Sequence, residues 1–176
     1  MAILNIPYQK ASYTDPADIK SFLNDLGIYF DQWEAEEAFS DDAAQETILK
    51  AYEHVLKPYM SMNGYRVADV ISINSLTPNY EAVRAKFLSE HTHTEDEVRF
   101  FVDGNGYFWF NMDDGITPIF NVLLEAGDLI SVPANVKHWF DAGKENPFVK
   151  TIRIFIDPSG WVPHYTESGV SEKFSN

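Results

Sequence analysis

At 176 residues with 45% hydrophobic content, the chain suits one domain with a sizeable core and is too apolar to be disordered. Its net charge of −14 argues against nucleic acid or an anionic membrane as partner, and an anionic ligand needs local cations to overcome that field. The absence of cysteine excludes disulfides, thiolate metal sites, Fe–S clusters and cysteine nucleophiles.

The opening "MAILNIPYQK" lacks a basic segment followed by an apolar one, and no run of 18 apolar residues exists, so the expected compartment is the cytoplasm. The first third reads as helical. "TDPADIKSFLNDLG" offers Thr14 or Asp15 as a cap, Pro16 in the first turn and Gly27 as a stop, with Ile19, Phe22, Leu23 and Leu26 at helical spacing. "IYFDQWEA" is a candidate strand. "SDDAAQETILKAYEHVLKPYMSMNG" is a second helix with Ile48, Ala51, Tyr52, Val55 and Leu56 on one face, and Pro58 is expected to kink or end it. From residue 65 the texture turns to strands. "YRVADVISIN" is β-branched, and a short helix "NYEAVRAKFLSE" follows it. "VRFFV" and "YFWFNM" flank Asp103-Gly104-Asn105-Gly106 and read as a β-hairpin. "PIFNVLL", "GDLISV", "HWFDA" and "FVKTIRIFI" come at short intervals, which suggests an antiparallel sandwich or barrel. The tail after Trp161 reads as loop.

Chemistry concentrates in "HTHTEDEVRF". Residues two apart on a strand share a face, so His91 and His93 project together and suit a divalent transition metal. Glu97 has the same parity. A straight strand would carry it about 20 Å from His91, so ligation by Glu97 requires a bend at Thr94-Glu95-Asp96. Downstream, "GDLISVPANVKHWFDAG" places His138 after a strand and a Pro-x-Asn turn, late enough to lie beside the first histidines.

Together these residues resemble the two halves of the cupin signature: His91-x-His93, Glu97 and Gly104 in the first, and Gly127, Pro133 and His138 in the second. Ala85, Asn135 and Ala142 depart from it at positions that are usually glycine, glycine and asparagine. None of these departures removes a metal ligand. Within the cupins, "HTHTEDEVRFFVDGNGYF", "GDLISVPANVKHWFD", "GYRVADVISI", "IRIF" and "GWVPHYT" are similar to the acireductone dioxygenase family. The resemblance implies a mainly β cupin (double-stranded β-helix, jelly-roll) barrel with flanking α-helices. It implies a single domain over 1–176, with 1–64 a helix-rich elaboration and 65–160 the barrel, and a monomer.

The resemblance further implies one Fe(II) or Ni(II) per chain, held by His91, His93, Glu97 and His138, with two coordination positions left for a chelating substrate. That substrate is 1,2-dihydroxy-3-keto-5-methylthiopentene, the acireductone of methionine salvage, and O2 is the second. Fe(II) would give 2-keto-4-methylthiobutanoate and formate. Ni(II) would give 3-methylthiopropionate, formate and carbon monoxide. Arg99 shares the face of Glu97 and is expected to stabilise the bound dianion, with Arg153 as a second candidate. Phe87 and Phe140 are candidates to wall the thioether. Asp96 is either the partner of a ligand imidazole or a solvated turn acid, and Trp139 and Trp161 are open between core and site. His54 and His164 are expected to be structural or superficial. The alternatives are a cupin enzyme of other specificity, such as an isomerase, and a non-enzymatic metal-binding cupin.

Overall fold

The computed structural model describes residues 1–34, 39–40, 42–157 and 161–174; Ala35, Asp41 and Gly160, named in the segments above, lie outside the described residues. In chain order come β1 (Ile3–Ile6), β2 (Ala11–Tyr13), α1 (Pro16–Asp25), β3 (Tyr29–Gln32), α2 (Gln45–Ala51), α3 (Glu53–Asn63), β4 (Val67–Asn74) and α4 (Tyr80–Leu88). Then follow β5 (His91–Thr92), β6 (Glu97–Asn111), β7 (Phe120–Glu125), β8 (Asp128–Val132), β9 (Lys137–Asp141), β10 (Phe148–Phe155) and β11 (His164–Tyr165).

The helices sit where their caps and stops place them. Asp15 accepts a hydrogen bond from the Ala17 amide at 2.8 Å with Pro16 in the first turn, so α1 starts there. The second helical segment is interrupted, but not at Pro58. Tyr52 leaves helical geometry and separates α2 from α3, which runs through Pro58 to a left-handed Gly64. Tyr52 is fully buried, and its ring lies 4.8 Å from that of Phe100, so packing decides the break. The first third is also less helical than expected. Leu4 and Ile6 alternate inward and β1 pairs with β7, while the strand expected in "IYFDQWEA" forms as β3 and pairs with β8.

The hairpin expected at Asp103–Gly106 does not form. Glu97 to Asn111 is one strand, and it organises the barrel. Its first part pairs with β8 and β10, and its second with β7 and β9. The ladder to β10 skips Val102: Thr151 lies opposite Phe101, and Lys150 opposite Asp103. One extra residue reverses which side chains face inward. Before the bulge, Phe101 is inside while Val98, Phe100 and Val102 pack under α2 and α3. After it, Phe108 and Phe110 are inside. Gly104 makes this possible. Its φ is +69°, and a Cβ there would collide with the Phe148 carbonyl and lie 2.9 Å from Val149 Cα. The turn-like residues therefore house a bulge in place of a turn.

The two halves of β6 thus join one antiparallel sheet of eleven strands, among the described residues, into two facing layers. One core cluster fills the space between them, and a second lies between β6, β8, β10 and the helices α2 and α3. No helix among the described residues is long and apolar enough to cross a membrane.

Candidate metal centre and its cavity

Sheet register brings the histidines together. β5 pairs with β9 so that His91 lies directly opposite His138. His93 follows β5, and the Asn135 amide donates to its carbonyl at 2.8 Å, with Asn135 in the left-handed conformation (φ 66°). The chain then bends at Thr94 and Glu95 and returns as β6, whose first residue is Glu97. The bend required of the sequence is present. Asp96 secures it: its carboxylate accepts from the Ala134 amide at 2.9 Å and the Tyr65 hydroxyl at 3.3 Å, and its carbonyl accepts from Trp161 Nε1 at 3.0 Å. Asp96 therefore braces the loop and holds no ligand imidazole.

His91, His93, Glu97 and His138 are at most 6% exposed, and one donor atom from each lies within 4.8 Å of the others. Each imidazole turns Nδ1 to a backbone carbonyl: His91 to Ser89 at 2.7 Å, His93 to Val162 at 3.0 Å, and His138 to Val136 at 2.8 Å. A carbonyl only accepts, so Nδ1 carries the proton and Nε2 presents a lone pair to the cluster. His93 Nε2 and His138 Nε2 approach Glu97 Oε2 at 2.9 and 3.0 Å. Lone pairs at that separation need a positive charge between them, either a proton on Nε2 or a metal cation. Burial, reinforced by His138, pushes His91 down to about 4, so it is neutral at pH 7. Burial opposes charge on His93, yet the Glu97 carboxylate outweighs it and raises the pKa. Burial also opposes ionisation of Glu97, but Arg99 together with His138 and His93 holds it well below the usual carboxylate range. An ionised carboxylate facing imidazole lone pairs is the donor set of a divalent metal.

A cavity of about 200 Å³ opens on these donors. Arg99, Phe87, Phe140 and Arg153 line it. Arg99 is 4% exposed, donates from Nε to Glu97 Oε1 at 2.6 Å, and has its guanidinium carbon between 5.2 and 5.9 Å from the ring centres of Trp161, Phe140, Phe108 and Phe87. Arg153 is held differently, by Asp69, through Nε–Oδ1 at 2.8 Å and Nη2–Oδ2 at 2.6 Å. Helix α4 carries Phe87 to the rim and is tied down by Arg84, whose two-point bond to Asp141 measures 2.8 and 2.7 Å.

Trp161 belongs to the cavity wall, together with Lys86, Pro163 and Tyr165, which sequence reasoning did not assign. The tail reaches the site because β11 pairs with β5 and because buried Glu90 accepts from the Thr166 and Ser168 hydroxyls at 2.6 and 2.8 Å. The aromatic and proline content of "GWVPHY" was the available signal. Trp139 is fully buried outside the cavity and stacks on Trp109 with centroids 5.7 Å apart. His54 and His164 are exposed, and neither is among the clustered donors, although β11 sets His164 opposite Thr92.

A mainly β antiparallel barrel that turns three imidazoles and one carboxylate into its interior defines a metal-binding cupin. The profile of the ARD/ARD' family matches residues 6–163, and the chain belongs to that family. It is 58% identical over 165 residues to an acireductone dioxygenase of Picosynechococcus sp., covering 94% of this chain and 92% of the relative. It is 46% identical over 161 residues to one of Enterobacter sp., covering 92% and 87%. Among solved structures it is similar to acireductone dioxygenase from Bacillus anthracis with a cadmium ion in its active centre, at TM-score 0.82 and 34% identity, covering 94% of this chain and 98% of that one.

Proposed function

We propose that this chain is an acireductone dioxygenase in which His91, His93, Glu97 and His138 hold one Fe(II) or Ni(II). The observation that carries the reading is the convergence of four buried donors, with histidine tautomers set by backbone carbonyls, on a cavity walled by arginine and phenylalanine. The named relatives support acireductone and O2 as substrates, and the cadmium in the Bacillus anthracis structure supports a divalent ion. The chain is read as a single domain over 1–176 and as a monomer.

When bound, the ion supplies a Lewis acid and a template for the two oxygens of the enediolate. The protein's own groups do the rest. The carbonyls of Ser89, Val162 and Val136 keep the three Nε2 atoms aimed inward. Glu97 gives one oxygen to the centre and the other to Arg99, so the guanidinium stays beside the place where the anion binds. Arg99 and Arg153 donate N–H bonds to the dianion. Phe87 and Phe140, with centroids 6.2 Å apart and edge to face, wall the methylthio group, and sulfur–aromatic contact is worth about 0.3–1.5 kcal/mol. Trp161 adds its indole to the same wall, beside both guanidinium groups.

The test is reconstitution of metal-free protein with Fe(II) and with Ni(II) separately, followed by product analysis under air. The expected products are 2-keto-4-methylthiobutanoate and formate with Fe(II), and 3-methylthiopropionate, formate and carbon monoxide with Ni(II). Tight metal binding without consumption of acireductone refutes the reading.

A further inference from the structure

We propose that Asp69 is a positioning residue for substrate: it acts through Arg153, which it fixes against the cavity. The proposal rests on the acireductone reading. Its basis is a row of charges across three neighbouring strands. Asp69 of β4 lies opposite Arg153 of β10, and Arg153 lies opposite Arg99 of β6. Directly opposed residues share a face of the sheet, and like charges so placed repel. Each arginine has its own carboxylate: Asp69 at the β4 end of the row, and Glu97 two residues before Arg99 along β6. Glu97 takes Arg99 through one hydrogen bond, and Asp69 takes Arg153 through two.

The two cations are held to different degrees. Arg99 is 5% exposed at its side chain and surrounded by four rings, so packing alone restrains it. The side chain of Arg153 is 29% exposed, and among the described residues the rings near its guanidinium carbon are those of Phe155 and Trp161, at 5.0 and 5.7 Å. Without Asp69, repulsion from Arg99 and the entropy of a long side chain favour its swing towards water. Asp69 itself is not among the residues that line the cavity, so its influence passes through Arg153. A guanidinium has five N–H bonds, and the paired contact with Asp69 occupies two, leaving the rest of the fork for an oxygen-rich anion.

Asp69→Asn, Asp69→Glu, Arg153→Ala and the Asp69→Asn/Arg153→Ala double variant test this with the full-length protein. Ni(II)-loaded protein is titrated anaerobically with acireductone to obtain Kd, and KM and kcat are measured under air, with metal content and melting temperature as controls. Asp69→Asn is expected to weaken Kd and raise KM by about 10-fold, the scale of one charge-assisted hydrogen bond, with kcat within about 2-fold and metal content unchanged. Asp69→Glu is expected to restore most of the affinity. In the Arg153→Ala background, Asp69→Asn is expected to add nothing. An Asp69→Asn variant that binds as the wild type does, or one whose full effect persists without Arg153, overturns the proposal. Wild-type protein that neither binds nor consumes acireductone overturns the dioxygenase reading and this proposal with it.

Discussion

Gly106→Ala tests whether the thioether wall is set by backbone. Phe140 lies on β9 across from Phe108 on β6, and its ring folds over Gly106. A Cβ at Gly106 would lie 2.6 Å from Phe140 Cε2, closer still to Cζ, and 3.3 Å from the Asp141 carbonyl. Carbon atoms rest at about 3.5–4.0 Å, so the ring must retreat by about 1 Å. Phe108 and Phe101 block retreat into the core, with centroids 5.0 and 6.5 Å away, and the remaining direction is into the cavity. Overpacking of this kind costs about 1–3 kcal/mol, and at roughly 2–4 °C per kcal/mol the melting temperature should fall by about 2–12 °C. The displaced ring narrows a cavity of about 200 Å³, so KM for acireductone should rise as well. Calorimetry and steady-state kinetics measure the two effects. Phe140→Leu in the same chain removes the opposing ring, and the double variant should melt well above the sum of the single losses. A Gly106→Ala protein that melts within about 1 °C of the parent with unchanged KM refutes the argument, as does strict additivity with Phe140→Leu.

Arg84→Ala should destabilise the protein by about 2–4 kcal/mol in urea, because it leaves the Asp141 carboxylate, 8% exposed and still bonded to the Gly143 amide, without its countercharge, and it should raise KM because α4 carries Phe87. A loss under about 1 kcal/mol with unaltered KM would mean that α4 is held by other contacts. Burial pushes Asp128 up to about 6, above its ordinary 3.8, although the Gln32 amide at 2.8 Å works against that rise. Because the folded pKa is the higher one, the contribution of this group is fully present below about pH 4 and is lost as pH rises through 6. Relative to Asp128→Asn, the wild type should therefore lose about 2–3 kcal/mol between pH 4 and 7 in urea denaturation of metal-free protein. The metal ligands titrate alike in both proteins and cancel, so a pH-independent difference would contradict the assignment.

The ligand set was legible because its signal is local. Two histidines at strand parity, a polar bend and a carboxylate lie within seven residues, and His138 follows a Gly-Asp turn and a strand that must pass near them. Arg99 was legible by the same parity rule. What stayed hidden depends on register between distant strands. Asp103-Gly104-Asn105-Gly106 has the composition of a hairpin turn, and pairing with β10 on one side and β7 on the other converts it to a bulge inside a continuous strand. Asp69 carries no local mark of its role. It acquires one only when β4 aligns with β10 to set it opposite Arg153. The tail reads as loop because β11 has two residues, and Glu90, Thr166 and Ser168 hold it through side-chain hydrogen bonds that no periodicity encodes.

The charge of −14 set a problem for an anionic substrate, and the site meets it by placement. Of the four arginines in the chain, Arg84, Arg99 and Arg153 bind carboxylates around the cavity. Pairing removes most of the long-range field of each cation, which matters in a protein this acidic, and leaves directed N–H bonds where the ligand lies. With a divalent ion among the donors, Glu97, Arg99, Arg153 and Asp69 cancel in pairs, and the centre carries the charge of the ion alone. An enediolate dianion neutralises that charge, whereas a neutral diol leaves it buried and uncompensated, at a cost of several kcal/mol. Selection for the doubly ionised substrate therefore follows from the charge of the metal, while the paired arginines supply directed N–H bonds to it.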